Sequence, residues 1–213
     1  MQTSEVVHVI DDDEGVREGL CALLEAKGYA AQPHASCEEF LNALSADAAL
    51  CVVADLRMPG MGGLDLQAHL LKNSIDLPFI VITGHGDVSS AVRALKSGAV
   101  DFIEKPIDGK SFIAAVERAV VARRANKAQL EATHLAHERV AALTPRERDV
   151  LRHLVEGNPN KIIAHQLGIS PRTVENHRAR LMVKMQADSV AELVRMALAA
   201  GISATQGGQA GGK

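Results

Sequence analysis

The chain has 213 residues, a length that suits one large domain or two small ones, and a formal net charge of −3. That charge is unevenly spread: residues 1–125 hold 18 Asp and Glu against 11 Lys and Arg, whereas 126–213 hold 8 against 12. No apolar run approaches the roughly 20 residues of a membrane span, no charged-then-apolar leader opens the chain, and one Tyr, four Phe and no Trp argue against single-strand or RNA binding on an aromatic platform. The composition points to a cytoplasmic protein in which a metal- or phosphate-handling module precedes one that meets a polyanion. Cys21, Cys37 and Cys51 are odd in number, widely spaced and set among apolar residues, as expected of reduced buried thiols.

The first half alternates strand and helix patterns. The apolar run 6–10 enters Asp11-Asp12-Asp13-Glu14, and Val16, Leu20, Leu23 and Leu24 then recur at helical spacing until Gly28. Further strands are predicted at 29–34, 50–54, 79–82 and 100–103, and further helices at 36–44, 64–71, 88–95 and from 110. Five strands alternating with five helices predict an α/β domain, a doubly wound, mostly parallel five-stranded sheet of the flavodoxin-like kind. Asp13 and Glu14 are expected to cap the first helix, His8 to pack within its strand, and His85 to sit in an exposed loop.

Residues 49–66 are the most informative stretch: Ala-Leu-Cys-Val-Val-Ala-Asp-Leu-Arg-Met-Pro-Gly-Met-Gly-Gly-Leu-Asp-Leu. The apolar run stops at one carboxylate, Asp55, beside a Pro-Gly turn. By itself Asp55 fits a turn cap as well as a cleft residue at the carboxyl edge of a sheet. The other strand ends favour the cleft, because they bring Asp11 and Asp12, Thr83 and Lys105 to the same edge. Three crowded carboxylates call for a hard cation such as Mg2+. Asp12 and Asp55 are the expected direct ligands, the Arg57 main-chain carbonyl a third, with Asp11 acting through water. Such a cation neutralises an incoming phosphoryl group and leaves one Asp55 oxygen for in-line attack. The Thr83 hydroxyl and the Lys105 ammonium then meet the new charge. Lys105 precedes Pro106, where a cis peptide would aim the ammonium into the cleft, although trans is the commoner state.

These motifs, together with Val-Ile-Thr83-Gly-His-Gly-Asp and Gly-Ala-Val-Asp-Phe-Ile-Glu-Lys105-Pro, resemble the receiver domain of two-component response regulators over about residues 5–122. The resemblance implies that Asp55 accepts phosphate from a sensor histidine kinase. It also implies that Thr83 and the aromatic Phe102 rearrange together as a switch.

From Lys110 to about Leu143 the texture is helical and free of proline. Ile113, Val116 and Val120 keep a core stripe, which thins to Leu130, Leu135 and Val140. Residues 123–142 are therefore read as a helical linker, and a continuous rod and a broken hinge both fit.

The basic half predicts an all-α domain of four helices over about 143–204. Thr144-Pro145-Arg146-Glu147 offers a capping box, Asn158-Pro159 and Ser170-Pro171 repeat the cap-plus-proline device, and Ser189 with Glu192 offers another box. Gly157, Gly168 and Gly201 are expected to close the first, second and fourth helices. Gly168-Ile169-Ser170 has the length of a helix-turn-helix corner. In the helix that starts at Pro171, Val174, Leu181 and Met185 share the face to be buried. Arg172, Asn176, Ala179 and Val183 lie opposite, flanked by Thr173, Glu175 and Arg180. Arg172, Glu175, Asn176 and Ala179 suit base edges, and Lys161, Thr173, Arg180 and Lys184 suit phosphates.

This segment looks like the LuxR-type DNA-binding domain, and the combination with the receiver resembles the NarL/FixJ family, in particular FixJ-type transcriptional regulators. In that family the last helix pairs DNA-binding domains, which implicates Val190, Leu193, Val194 and Ala197, each serving both core and partner. The resulting expectation is a phosphorylation-switched regulator of double-stranded DNA, not an enzyme beyond slow autodephosphorylation. It would form a homodimer when phosphorylated, through a receiver face that includes Val92 and Lys96, and contact RNA polymerase. Two alternatives stand beside it: a phosphohydrolase with Asp55 as transient nucleophile, and a receiver whose helical half binds a protein. The tail 205–213 is expected to be disordered.

Overall fold

The computed structural model describes residues 5–84 and 88–203. The expectations for His85 and for the tail 205–213 lie outside the described residues. The chain divides into two compact units, 1–126 and 127–213.

In the first unit, strands β1 (Val6–Ile10), β2 (Ala30–His34), β3 (Ala49–Asp55), β4 (Phe79–Thr83) and β5 (Asp101–Glu104) form one parallel sheet in the order β2-β1-β3-β4-β5. Helices α1 (Glu14–Glu25), α2 (Cys37–Ala43), α3 (Gly63–Lys72), α4 (Val88–Lys96) and α5 (Gly109–Ala141) alternate with the strands. Every residue of the central β3 is buried, as its unbroken apolar run requires of a strand covered on both faces. Pro33 is tolerated because β2 pairs with β1 alone and so has a free edge. Two apolar layers sandwich the sheet. One is centred on Leu20, Leu24, Phe112 and Val116, the other on Phe40, Leu66, Leu70 and Phe79. Cys37 and Cys51 are buried and Cys21 half-buried, all of them free thiols; burial pushes the Cys37 and Cys51 pKa values up to about 12.

Asp13 caps α1 by accepting from the Val16 amide at 3.1 Å. His8 is buried, as expected, but in a way the strand pattern does not announce. Its Nδ1 lies 2.9 Å from Nε2 of buried His34, and both rings meet Phe40 edge-on. Helix α5 is assigned over 33 residues, Gly109–Ala141.

In the second unit, α6 (Pro145–Val155), α7 (Asn160–Leu167), α8 (Pro171–Met185) and α9 (Val190–Ala199) enclose a core that includes Val150, Leu151, Ile163, Val174, Leu181, Met185 and Leu193. Ala136 and Val140 of α5 are also buried, Val140 within this same core. The Thr144 and Glu147 capping box forms as predicted. Two caps differ from expectation. Helix α7 is capped by Pro159 without a side-chain bond, because the Asn158 side chain is drawn back, its Nδ2 donating to Glu156 Oε2 at 2.8 Å. Ser189 caps α9, but the Glu192 carboxylate accepts from the Asp188 amide at 2.8 Å, so the second box is displaced by one residue. Gly157, Gly168 and Gly201 take left-handed backbone at the helix ends, and so does Gln186 (φ +49°) after α8.

Candidate functional site

The acidic pocket forms at the carboxyl edge of the sheet because four parallel strands end there. Strand β1 delivers Asp11 and Asp12, β3 delivers Asp55, β4 delivers Thr83, and the residue after β5 is Lys105. Asp11, Asp55 and Thr83 are buried while Asp12 is exposed. One oxygen from each of Asp11, Asp12 and Asp55 lies within 4.8 Å of the others. The Lys105 ammonium bridges the buried pair, 2.7 Å from Asp11 Oδ2 and 2.5 Å from Asp55 Oδ2. Its backbone amide donates to the Thr83 carbonyl at 2.7 Å, and the Lys105–Pro106 peptide is cis.

Electrostatics follows from this packing. Burial raises the Asp11 pKa above the usual carboxylate value, with Lys105 and the Asp13 amide pulling the other way. Burial works against the Lys105 ammonium, yet hydrogen bonds to Asp11 and Asp55 hold its pKa above the ordinary lysine value. The remaining Asp55 oxygen, Oδ1, accepts from the Arg57 amide at 2.9 Å. Three hard oxygen donors at this spacing, with Asp12 open to solvent, fit a hexacoordinate divalent cation that retains water. Phe102 pairs with Val81 in the sheet register and is half-buried against the Phe40 and Phe79 layer.

The sequence reading missed several supports of this pocket. Arg17, one turn into α1, donates from Nη1 to the Asp11 carbonyl at 2.6 Å. The Asp11 amide is held by the His34 carbonyl at 3.3 Å. A Cβ on Gly63 would lie 2.5 Å from the Asp55 carbonyl oxygen, and one on Gly62 would lie 2.8 Å from that of Leu56. The Gly-Gly pair was visible in the sequence; the backbone it had to clear was not.

In the second unit, α8 buries Val174, Leu181 and Met185 and exposes Arg172, Glu175, Asn176, Ala179, Arg180 and Val183, the division predicted from the helical wheel. Lys161 is exposed on α7. The Thr173 hydroxyl is engaged with Ser170 Oγ at 2.8 Å. Lys184 is tied down more firmly than a phosphate ligand needs to be, 2.7 Å from the buried Glu147 carboxylate. Burial opposes that charge, but Lys184 and Thr144 hold the Glu147 pKa at about 2. Arg178, overlooked in the sequence, reaches Asn160 Oδ1 of α7 at 2.6 Å. Val92 and Lys96 are exposed on α4. On α9, Leu193 and Ala197 belong to the core, so they are not available to a partner as expected, whereas Val190 is exposed and Val194 half-exposed, with exposed Leu198 continuing their row.

Comparison with known proteins follows the same division. Residues 7–117 match the response regulator receiver domain, and residues 141–197 match the bacterial regulatory proteins of the luxR family. Over 204 residues the chain is 51% identical to the transcriptional regulatory protein FixJ of Azorhizobium caulinodans, covering 95% of this chain and 96% of that protein. The chain belongs to the FixJ family of response regulators. The FixJ of Rhizobium meliloti is 50% identical over 93% of this chain and 98% of its own. Among solved structures, the response regulator StyR matches with a TM-score of 0.78 at 36% identity, over 91% of this chain and 98% of that one. Full-length FixJ from B. japonicum matches with a TM-score of 0.57 at 41% identity, over 93% and 98%. This FixJ-family chain thus joins a receiver to a LuxR-type DNA-binding domain, and receiver domains generally bind Mg2+ at an acidic pocket such as the one formed by Asp11, Asp12 and Asp55. Among the described residues no helix is long and apolar enough to cross a membrane.

Proposed function

We propose that Asp55 is the phosphoacceptor of this regulator and that a sensor histidine kinase is its donor. The observation that carries the reading is the Lys105 ammonium, which spans Asp11 and Asp55 at hydrogen-bond distance where the strands end. A carboxylate so placed has its negative charge compensated before a phosphoryl group arrives, and an incoming phosphoryl finds a cation at once. Mg2+ would be held by Asp12, Asp55 and the Arg57 carbonyl, with Asp11 through water, and would supply charge neutralisation for in-line transfer. Thr83 and Phe102, both next to this edge, would respond to the phosphoryl group as the switch. Autodephosphorylation would be slow.

Phosphorylation would favour receiver dimers through the α4 surface that carries Val92 and Lys96. Two DNA-binding units on one duplex then gain by effective concentration, with Val190 and Val194 completing the pairing. Arg172, Glu175, Asn176 and Ala179 would read bases, with Lys161, Thr173 and Arg180 at phosphates and Lys184 there only after leaving Glu147. RNA polymerase is the expected downstream partner, in the cytoplasm. Sedimentation of the protein treated with acetyl phosphate tests the dimer step: Val92→Asp should leave a phosphorylated monomer, and an undiminished dimer would refute that surface.

A further inference from the structure

We propose that Arg139 is a positioning residue for DNA binding. It sits in the last turn of α5, within the second unit, and its guanidinium reaches the far end of the recognition helix α8. Nη1 donates to the Met185 carbonyl at 2.8 Å, and Nη2 donates to Gln186 Oε1. This deepens the reading of α8 as the DNA-contacting helix and rests on it.

Three observations carry the assignment. First, α8 ends without a glycine: Gln186 takes φ +49° and ψ +46°, a left-handed conformation that L side chains adopt rarely and only when something holds it. Arg139 holds both the residue before it and its side chain. Second, Arg139 is not on a loose arm. Ala136 and Val140, on the same helix, are buried, and Arg148 closes that helix by donating to the Ala141 carbonyl at 2.9 Å. Third, the contact lies where a cation suits the negative end of the α8 dipole. The same device recurs in this unit, where Arg146 Nη2 donates to the Leu167 carbonyl at the end of α7. The two helices of the helix-turn-helix are therefore each pinned at the carboxyl end by an arginine from another helix.

The exposed row Glu175, Asn176, Ala179, Arg180 and Val183 leads directly into this pinned end. If Met185 and Gln186 relax, the last turn of α8 frays, and the distances from this row to base edges and phosphates are no longer set in advance. Arg139 thus acts through α8 and not on the DNA.

The test uses the full chain and a fluorescent duplex selected from a random library by the wild-type protein, read between about 50 and 200 mM salt. Arg139→Gln should weaken binding about tenfold while the slope of log affinity against log salt stays unchanged. A lost phosphate contact would instead lower that slope by about 0.9 and would overturn the proposal. Arg139→Lys keeps the charge but offers no planar fork, and should recover part of the affinity. To separate positioning from simple instability, the folded fraction is fixed by circular dichroism under the binding conditions. Gln186→Gly, which accepts left-handed backbone freely, is added to Arg139→Gln. The double variant should regain thermal stability without regaining full affinity. Affinity of the folded Arg139→Gln protein equal to wild type, or full recovery by Gln186→Gly, would show a structural cap only and would overturn the assignment.

Discussion

Replacing Gly63 by alanine is the sharpest local perturbation of Asp55, the proposed phosphoacceptor, that leaves every charged group in place. An alanine inside a helix is ordinarily favoured over glycine by about 1 kcal/mol. At the start of α3 the sign reverses, because the new Cβ would stand 2.5 Å from the Asp55 carbonyl oxygen and 3.2 Å from its carbon. An ordinary carbon-oxygen contact is about 3.3 Å, so roughly 0.8 Å must be found by moving either the helix start or the Asp55 peptide. Both are backbone, and Asp55 is already fixed to Lys105 at 2.5 Å and to the Arg57 amide at 2.9 Å. Overpacking of this kind costs about 1 to 3 kcal/mol. A misplacement near 1 Å at a reacting atom can slow transfer on the order of 100-fold. The measurement is the rate of phosphorylation by acetyl phosphate, followed by intact mass, beside urea unfolding followed by circular dichroism. Gly19→Ala is the control, since a Cβ there meets nothing within 4 Å, and it should stabilise the receiver slightly. A Gly63→Ala protein that matches the wild type in both rate and stability would refute the reasoning about how Asp55 is held.

Removing the ammonium in Lys105→Met deletes a cation that repels any metal near Asp11 and Asp55, so calorimetry should find tighter Mg2+ binding together with a lost response to phosphodonor; weaker Mg2+ binding would contradict the pocket electrostatics. His8 is held neutral, its pKa lowered to about 4 by burial and by His34. The unfolded chain therefore binds a proton that the folded one refuses, and this contribution to stability is complete above about 6.5 and declines as pH falls toward 4. Urea midpoints of the wild type should fall across that window more steeply than those of His8→Phe, and parallel curves would exclude the buried pair as the cause. Glu147 is the opposite kind of group, a carboxylate whose pKa is depressed to about 2. Its stabilisation is full above about 4.5 and disappears only as pH drops through 2. Glu147→Ala removes both the reciprocal cap of α6 and the partner of Lys184, and should cost the second unit about 2 to 4 kcal/mol by urea unfolding at neutral pH, with a loss under 1 kcal/mol contradicting the buried ion pair.

What the sequence revealed and what it concealed follow from range. The strand ends were legible because each strand is a short β-friendly run that stops at a polar residue, and a parallel sheet necessarily gathers those ends at one edge; Asp11, Asp55, Thr83 and Lys105 meet for that reason. The buried face of α8 was legible because helical periodicity is local. Partners distant in the chain were not. Nothing near Lys184 announces Glu147, 37 residues earlier, and nothing near Arg139 announces Met185, 46 residues later. Caps failed where two local solutions competed: Asn158 can cap α7 or fold back on the exit of α6, and the Glu156 carboxylate beside it decided for the second. Likewise Glu192 had two amides in reach, Asp188 and Ser189, and took the earlier one.

The proposed switch requires that a phosphoryl group on Asp55 govern the hold of the second unit on double-stranded DNA. Duplex affinity of the full chain, measured with and without acetyl phosphate and Mg2+, for the wild type and for Asp55→Asn, tests this most directly. The wild type should bind more tightly after treatment, and Asp55→Asn should show the same affinity in both conditions. An Asp55→Asn protein that still tightens its grip when the donor is added would rule out control through Asp55.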